Sequence, residues 1–175
     1  YRREFQIKKI RSDLKCKLIR GNVDTRVKKL NDGIYDAIIL SKAGLKSLKM
    51  SNLITQEFSC NKIIPSAGQG IISLQSRKND TKINKLLEKV NHKDTRIRAY
   101  AERSVLKILK GDCSTAVGIY SIINKKKLIL KAELFSIDGK KRYYYEHSDK
   151  INRALDIGKI VGNHLKKISL GKYKN

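Results

Sequence analysis

The chain has 175 residues, 40% of them apolar, and its 40 Lys and Arg against 16 Asp and Glu give a net charge of +24. That length and apolar share suit one full domain, or two small ones sharing a core, and exclude a disordered basic tail. No run approaches the roughly 18 consecutive apolar residues of a membrane span, so a soluble protein is expected. Three cysteines, an odd number, argue against a disulfide framework and for a reducing compartment such as the cytoplasm. The chain opens on Tyr1 rather than Met, so its natural start is expected upstream and a missing targeting segment carries no weight.

Residues 2–14 place Phe5, Ile10 and Leu14 near one face at helical spacing. Lys17-Leu18-Ile19 reads as a short strand ending at Gly21-Asn22. Val23, Val27 and Leu30 then mark a helix face, with Asn22 or Asp24 as its cap and Asn31-Asp32-Gly33 as its stop. The nearly continuous apolar run Tyr35 to Leu40 has strand length and predicts a strand buried on both faces. Ala43 to Met50 reads as another short helix. This alternation predicts an α/β unit with parallel strands, whose ligand-binding end is where the strands give way to helices.

Around Pro65 the chain changes character. Ser66-Ala67-Gly68-Gln69-Gly70 forms a loop between the apolar segments Ile63-Ile64 and Ile71-Ile72-Ser73-Leu74, which reads as a crossing between lobes. A strong helix follows from Asp94 to Leu109, with Ile97, Tyr100, Ala101, Val105 and Ile108 on one face and Gly111 as its cap. Three strands are predicted next, Val117 to Ile123, Leu128 to Ser136 and Arg142 to Glu146. Asn124-Lys125 and Asp138-Gly139 mark the turns between them. A last helix, Ile151 to Ile168, covers one face of that meander.

The positive charge invites a nucleic-acid reading, but lysine is spread over nearly every segment, as ordinary solvated helix faces tolerate. Arginine is clustered instead, with Arg2, Arg3, Arg11, Arg20 and Arg26 all near the start. Its planar fork pairs bidentately with carboxylate or phosphate, so such a cluster signals an anion site better than scattered lysine does. Arg20 closes the first predicted strand and Arg26 lies in the first turns of the next helix. Both would project toward the ligand-binding end, beside the free N–H groups of a helix start. A pair of solvent-facing arginines fits the spacing equally well.

The three histidines lie far from the cysteines in sequence and no CxxC pair exists, so a zinc site is not expected. Cys16 and Cys60 precede a strand and the crossing without metal-like partners. Cys113 lies in the polar loop Lys110-Gly111-Asp112-Cys113-Ser114, where Lys110 favours the thiolate while Asp112 and the helix end oppose it. Composition alone favours a simple unpaired cysteine there.

Several stretches taken together resemble the porphobilinogen deaminase (hydroxymethylbilane synthase) family. They are Arg20-Gly21-Asn22-Val23-Asp24-Thr25-Arg26 with Leu30, Tyr35 to Leu40, Ala43-Gly44-Leu45, Pro65 to Gly70 and Ala101-Glu102-Arg103. Gly111-Asp112-Cys113 leading to Val117-Gly118-Ile119-Tyr120 completes the set. No single piece is specific, but their order and spacing across the chain are.

The resemblance implies a transferase of porphyrin biosynthesis that joins four porphobilinogen units head to tail, with release of ammonia, into a linear tetrapyrrole. It implies that Cys113 holds a dipyrromethane cofactor through a thioether. It further implies that Arg2, Arg3, Arg20 and Arg26 bind the acetate and propionate groups of cofactor and substrate, with Gln69 near the same place. No metal is implied, no membrane or nucleic acid is expected as a partner, and a monomer is expected for the complete enzyme. The implied fold class is α/β plus α+β. Its front is the rear part of a periplasmic-binding-protein-like double lobe, and a small three-stranded antiparallel sheet with helices follows.

On the family pattern, residues 1–64 are the rear of domain 2, 65–92 the crossing and return segment of domain 1, and 93–175 domain 3. Most of domain 1 and the front of domain 2, with the catalytic aspartate, are expected outside the chain as a missing partner lobe. The 175-residue chain alone is therefore not expected to turn over porphobilinogen. Three positions depart from the pattern: Asp112 stands for a common glycine, Ala116 for the usual proline, and Ser47 where an arginine is frequent, with Lys46 or Lys49 nearby. Two alternatives are a basic module that holds nucleic acid or another polyanion without catalysis, and a plain α/β ligand-binding fragment.

Overall fold

The computed structural model describes residues 1–111 and 114–174, which fall into two compact units. One is residues 3–63; the other joins residues 1–2 to 64–174.

Short helices make up the first unit. Helix α1 (Arg2–Ile10) buries Gln6 and Ile7 and stops earlier than the predicted residue 14. Arg11 turns Nε and Nη2 onto the carboxyl of Asp13 at 2.8 and 2.6 Å. Side chains two apart do not face each other on a helix, so this pairing favours a turn. Helix α2 (Val23–Asn31) begins as predicted, with Asn22 Oδ1 accepting from the Thr25 N–H at 2.9 Å, a cap worth about 1 kcal/mol. Helix α3 (Lys42–Ser47) is capped by Ser41 and leads into a 3-10 turn at Ser51–Leu53.

Neither strand predicted in this unit forms. Lys17-Leu18-Ile19 and Tyr35 to Leu40 belong to no ladder. They are linked by a side chain, Tyr35 Oη donating to the Leu18 carbonyl at 3.2 Å. A strand exists only through ladder bonds to a neighbour, and a parallel pair needs helices over both faces. Here Leu18 is 77% exposed. The α/β arrangement expected for residues 1–64 is thus not present among the described residues of this unit.

The second unit contains α4 (Thr81–Val90), α5 (Lys93–Leu109), β1 (Val117–Asn124), β2 (Lys127–Phe135), β3 (Arg142–Lys150) and α6 (Ala154–Ser169). The strands form an antiparallel meander in the order β1-β2-β3, with Ser121 opposite Leu130 and Leu130 opposite His147. Period-two patterning sends Leu128, Leu130, Ala132 and Leu134 to the covered face. There they meet Ala101, Val105 and Leu109 of α5 and Ile157, Val161 and Leu165 of α6. The predicted α+β meander and its closing helix are therefore present.

One detail differs from expectation. The left-handed residue that ends α5 is Lys110 (φ 50°) rather than Gly111. The apolar segment Ile71 to Leu74 is not laddered; Ile72 is 89% exposed, and Ile83, Leu86 and Val90 of α4 are exposed as well.

The tail after α6 completes the core. Tyr173 is buried, and its hydroxyl donates to the Leu109 carbonyl at 3.0 Å, satisfying one of the acceptors a helix end leaves over. Burial pushes the Tyr173 phenol above its ordinary range, so the donor persists into alkaline solution. Tyr173→Phe removes only that oxygen and is expected to cost about 1 kcal/mol in urea unfolding. An unchanged midpoint would show the bond to be idle.

Candidate anion-binding site

In the first unit Arg20 and Arg26 lie at the start of α2, and Arg3 lies on α1. Gly21 precedes the cap with φ +116°, and a Cβ there would lie 2.8 Å from the Thr25 side chain, so only glycine permits the turn. Arg26, one turn into the helix, donates Nε back to the Gly21 carbonyl at 2.8 Å. That bond fixes its guanidinium while leaving both Nη groups outside it.

Arg3 of α1 is half-buried and donates Nη1 to the Ile39 carbonyl at 3.4 Å. Burial first, and then the charge of Arg26, hold the Arg3 guanidinium below the ordinary arginine range. Two cations are thus held within mutual influence. Arg20 is exposed just before the turn, its carbonyl accepting from Lys29 Nζ at 3.1 Å. Among the described residues none of Arg3, Arg20 and Arg26 is in an ion pair with Asp or Glu. Like charges kept together without a counter-ion cost free energy that a bound carboxylate relieves.

Arg2 and Gln69 meet in the other unit. Arg2 donates Nη1 to the Ile64 carbonyl at 2.6 Å and Nη2 to Gln69 Oε1 at 3.4 Å. Its fork is turned onto the Pro65–Gly70 turn, in which Gly68 (φ +70°) and Gly70 (φ +84°) adopt the left-handed conformations predicted for a crossing. Cys113, the predicted attachment residue, and Asp112 beside it lie outside the described residues. Of the other departures, Ala116 is buried with its carbonyl taken by the Phe135 N–H at 3.0 Å. Ser47 turns its hydroxyl onto the Gly44 carbonyl at 3.0 Å.

One residue was quoted for its motif and given no role. Glu102 is 3% exposed. Its Oε1 accepts from the Ser121 N–H at 3.0 Å and the Ser121 hydroxyl at 2.7 Å, and its Oε2 from the Gly68 N–H at 2.7 Å. The available signal was an acid set among the apolar positions Ala101 and Val105 of a strong helix, since such a group is buried only with partners.

Among the described residues no cluster of His, Cys, Asp and Glu is arranged to hold a metal ion. No described helix is long and apolar enough to cross a membrane.

Residues 1–85 match the family model described as porphobilinogen deaminase, dipyromethane cofactor binding domain, and residues 96–167 that of the porphobilinogen deaminase C-terminal domain. The porphobilinogen deaminase of Coxiella burnetii (strain RSA 493 / Nine Mile phase I) is 43% identical over 139 residues, 79% of this chain and 45% of the relative. That of Clostridium acetobutylicum is 38% identical over 165 residues, 94% of this chain and 55% of the relative. The chain belongs to the porphobilinogen deaminase family. It spans about half the length of the curated relatives it matches. These matches do not favour the alternative of a nucleic-acid-binding module.

Proposed function

We propose that the protein is a hydroxymethylbilane synthase, joining four porphobilinogen units head to tail with loss of ammonia at each step. The observation that carries this reading is the pair Arg3 and Arg26, two guanidinium groups in one unit with no carboxylate of their own among the described residues. Each pyrrole unit brings an acetate and a propionate, and such carboxylates are what fixed, always-charged forks hold. Arg20 adds a third cation at the mouth of the α2 turn, and Gln69 supplies amide donors from the Pro65–Gly70 turn. We assign Arg2, Arg3, Arg20 and Arg26 to the carboxylates of a dipyrromethane group, which match those of the substrate, and its thioether to Cys113. When bound, that group supplies the primer to which units are added. This chain's residues bind and orient the carboxylates. No proton-transfer residue is assigned within it.

We also propose that residues 1–64 are the rear of a second domain, residues 65–92 a segment returning to a first, and 93–175 a third. Three features support this: the unladdered apolar runs of the first unit, the exposed apolar residues of α4 with Ile72 and Leu74, and relatives about twice as long. Such runs are the material of a double lobe completed elsewhere, and the 175-residue chain alone would then lack turnover. A monomeric, cytoplasmic enzyme is the accompanying reading.

The test is the denatured mass of the protein isolated from its own cells, beside a Cys113→Ala form, together with ammonia release from porphobilinogen. The expected result is turnover, with a covalent pyrrole-derived increment that the variant lacks. An active protein with no increment overturns the role of Cys113. A protein of mass well above that of this chain that is inactive toward porphobilinogen overturns the function.

A further inference from the structure

The turn that presents Gln69 is held from below by a residue that cannot reach a ligand itself. Within the turn, Gln69 Oε1 accepts from the Ser66 N–H at 3.3 Å, the Ser66 hydroxyl at 3.1 Å and Arg2 Nη2 at 3.4 Å. A guanidinium and a backbone N–H can only donate, so the amide oxygen faces inward and the amide nitrogen outward. Gln69 is exposed, and its Nε2 has no partner among the described residues. Two N–H donors are therefore directed at solvent with their orientation already fixed.

The turn is pinned to the sheet and helix of the same unit at two further points. The Ile119 N–H donates to the Pro65 carbonyl at 2.7 Å, and the Gly68 N–H, one residue before Gln69, donates to Glu102 Oε2 at 2.7 Å. The other oxygen of Glu102 is taken by Ser121, which is fully buried in the sheet. Glu102 thus accepts three hydrogen bonds from neutral donors, and each of its oxygens holds a different element. A glutamine of the same shape would set its NH₂ against one of two N–H donors, so the position demands an acceptor on both sides.

We propose that Glu102 is a positioning residue for substrate binding. It fixes the Gly68 backbone to the β1–α5 framework and so holds the Gln69 amide where it meets a carboxylate of porphobilinogen. The inference rests on the function proposed above and deepens it, since it explains how a turn made flexible by two glycines can present a donor pair in one place. Pre-set donors bind without an ordering cost at the moment of binding.

The experiment is a double-mutant cycle on the Michaelis constant for porphobilinogen in the complete protein, using Glu102→Gln, Gln69→Ala and both together. Each single change is expected to raise KM about tenfold with kcat within about twofold, the scale of one charge-assisted hydrogen bond. The pair should raise KM no further than either alone, because Glu102 acts through Gln69. Multiplying effects, an unchanged KM in Glu102→Gln, or a fall confined to kcat would each overturn the proposal.

Ser121→Ala separates positioning from stability. It removes one bond to Glu102 but leaves the Gly68 bond in place, so it should lower the melting temperature and leave KM within about twofold. If Ser121→Ala instead raises KM as Glu102→Gln does, general loosening explains the data and the proposal fails. The unsubstituted protein is assayed first. If it lacks turnover, the proposed function falls and this inference with it, an outcome distinct from any failure seen only in the variants.

Discussion

Gly158→Ala is expected to destabilise the second unit by about 3 kcal/mol or more, although alanine is the better helix former by about 1 kcal/mol. The two effects have opposite signs, so the experiment decides which one governs. A Cβ on Gly158 would run into the Ala101 carbonyl oxygen and lie 2.5 Å from the Ser104 Cβ. The nearer atom is backbone, so it moves only if α5 and α6 separate, and that opens the core around Val105, Ile157 and Val161. Gly162 faces α5 one turn later, and a Cβ there would meet the side chain of Ile108 at 2.8 Å, a residue that is only half-buried. The nearest atom is the Ile108 Cβ, which no rotamer change moves, so Gly162→Ala should also be destabilising, by about 1–3 kcal/mol. Urea unfolding of the two variants measures both. A Gly158→Ala protein as stable as the parent would mean the helices have room to part.

The second large effect concerns function. Arg3→Leu is expected to weaken porphobilinogen binding about a hundredfold, the scale of losing a bidentate charge-assisted pair. Meanwhile the ligand-free protein should become more stable. The sign follows from the lowered position of the Arg3 guanidinium, caused first by burial and then by Arg26. A base whose ionisation is depressed by folding opposes folding while it is charged, and at neutral pH it is charged throughout. Removing it therefore removes that opposition. Arg3→Lys retains the charge without the fork and should fall between the two, at about a tenfold loss. Binding and melting temperature are read on the same three proteins. A loss of affinity accompanied by an equal loss of stability would point to a misfolded first unit instead of a missing ligand contact.

The sequence conveyed the second unit better than the first, and the reason lies in where the partners are. Leu128, Leu130, Ala132 and Leu134 alternate because one face of β2 meets α5 and α6, and those helices lie within the same unit. Pattern and partner are present together. Lys17 to Ile19 and Tyr35 to Leu40 carry an equally clear strand pattern, but no ladder forms for them among the described residues. Pattern states a preference, and a strand also needs a neighbour.

Local chemistry was legible where it was complete in a few residues, as with Asn22 capping α2 or Gly68 and Gly70 forming a turn. It misled at α5, where Gly111 was the natural choice for the left-handed position and Lys110 occupies it. Of the candidate site, the grouping of arginines was legible in their positions along the sequence. The coupling of Arg3 to Arg26 and the turn of Arg2 onto Gln69 were not, because each joins residues distant in sequence. Glu102 stood in view as a motif letter, and only its three hydrogen bonds reveal what it holds.

The closing helix also bears on how the protein is made. Helix α6 and Tyr173 supply one side of a core whose other side, α5 and the meander, comes earlier in the chain; Ser104, for example, donates to the Leu155 carbonyl across 51 residues. A ribosome releases α5 and all three strands before the last layer exists. For that interval the part of the core that Ile157, Val161 and Leu165 of α6 complete stays open, and a nascent sheet with an incompletely covered apolar face attracts other unfinished chains. The same tight glycine-lined seam that gives the finished unit its rigidity makes it the last part to assemble. Conditions that slow synthesis between β3 and α6 should therefore penalise the yield of folded protein more than those that slow it before α5.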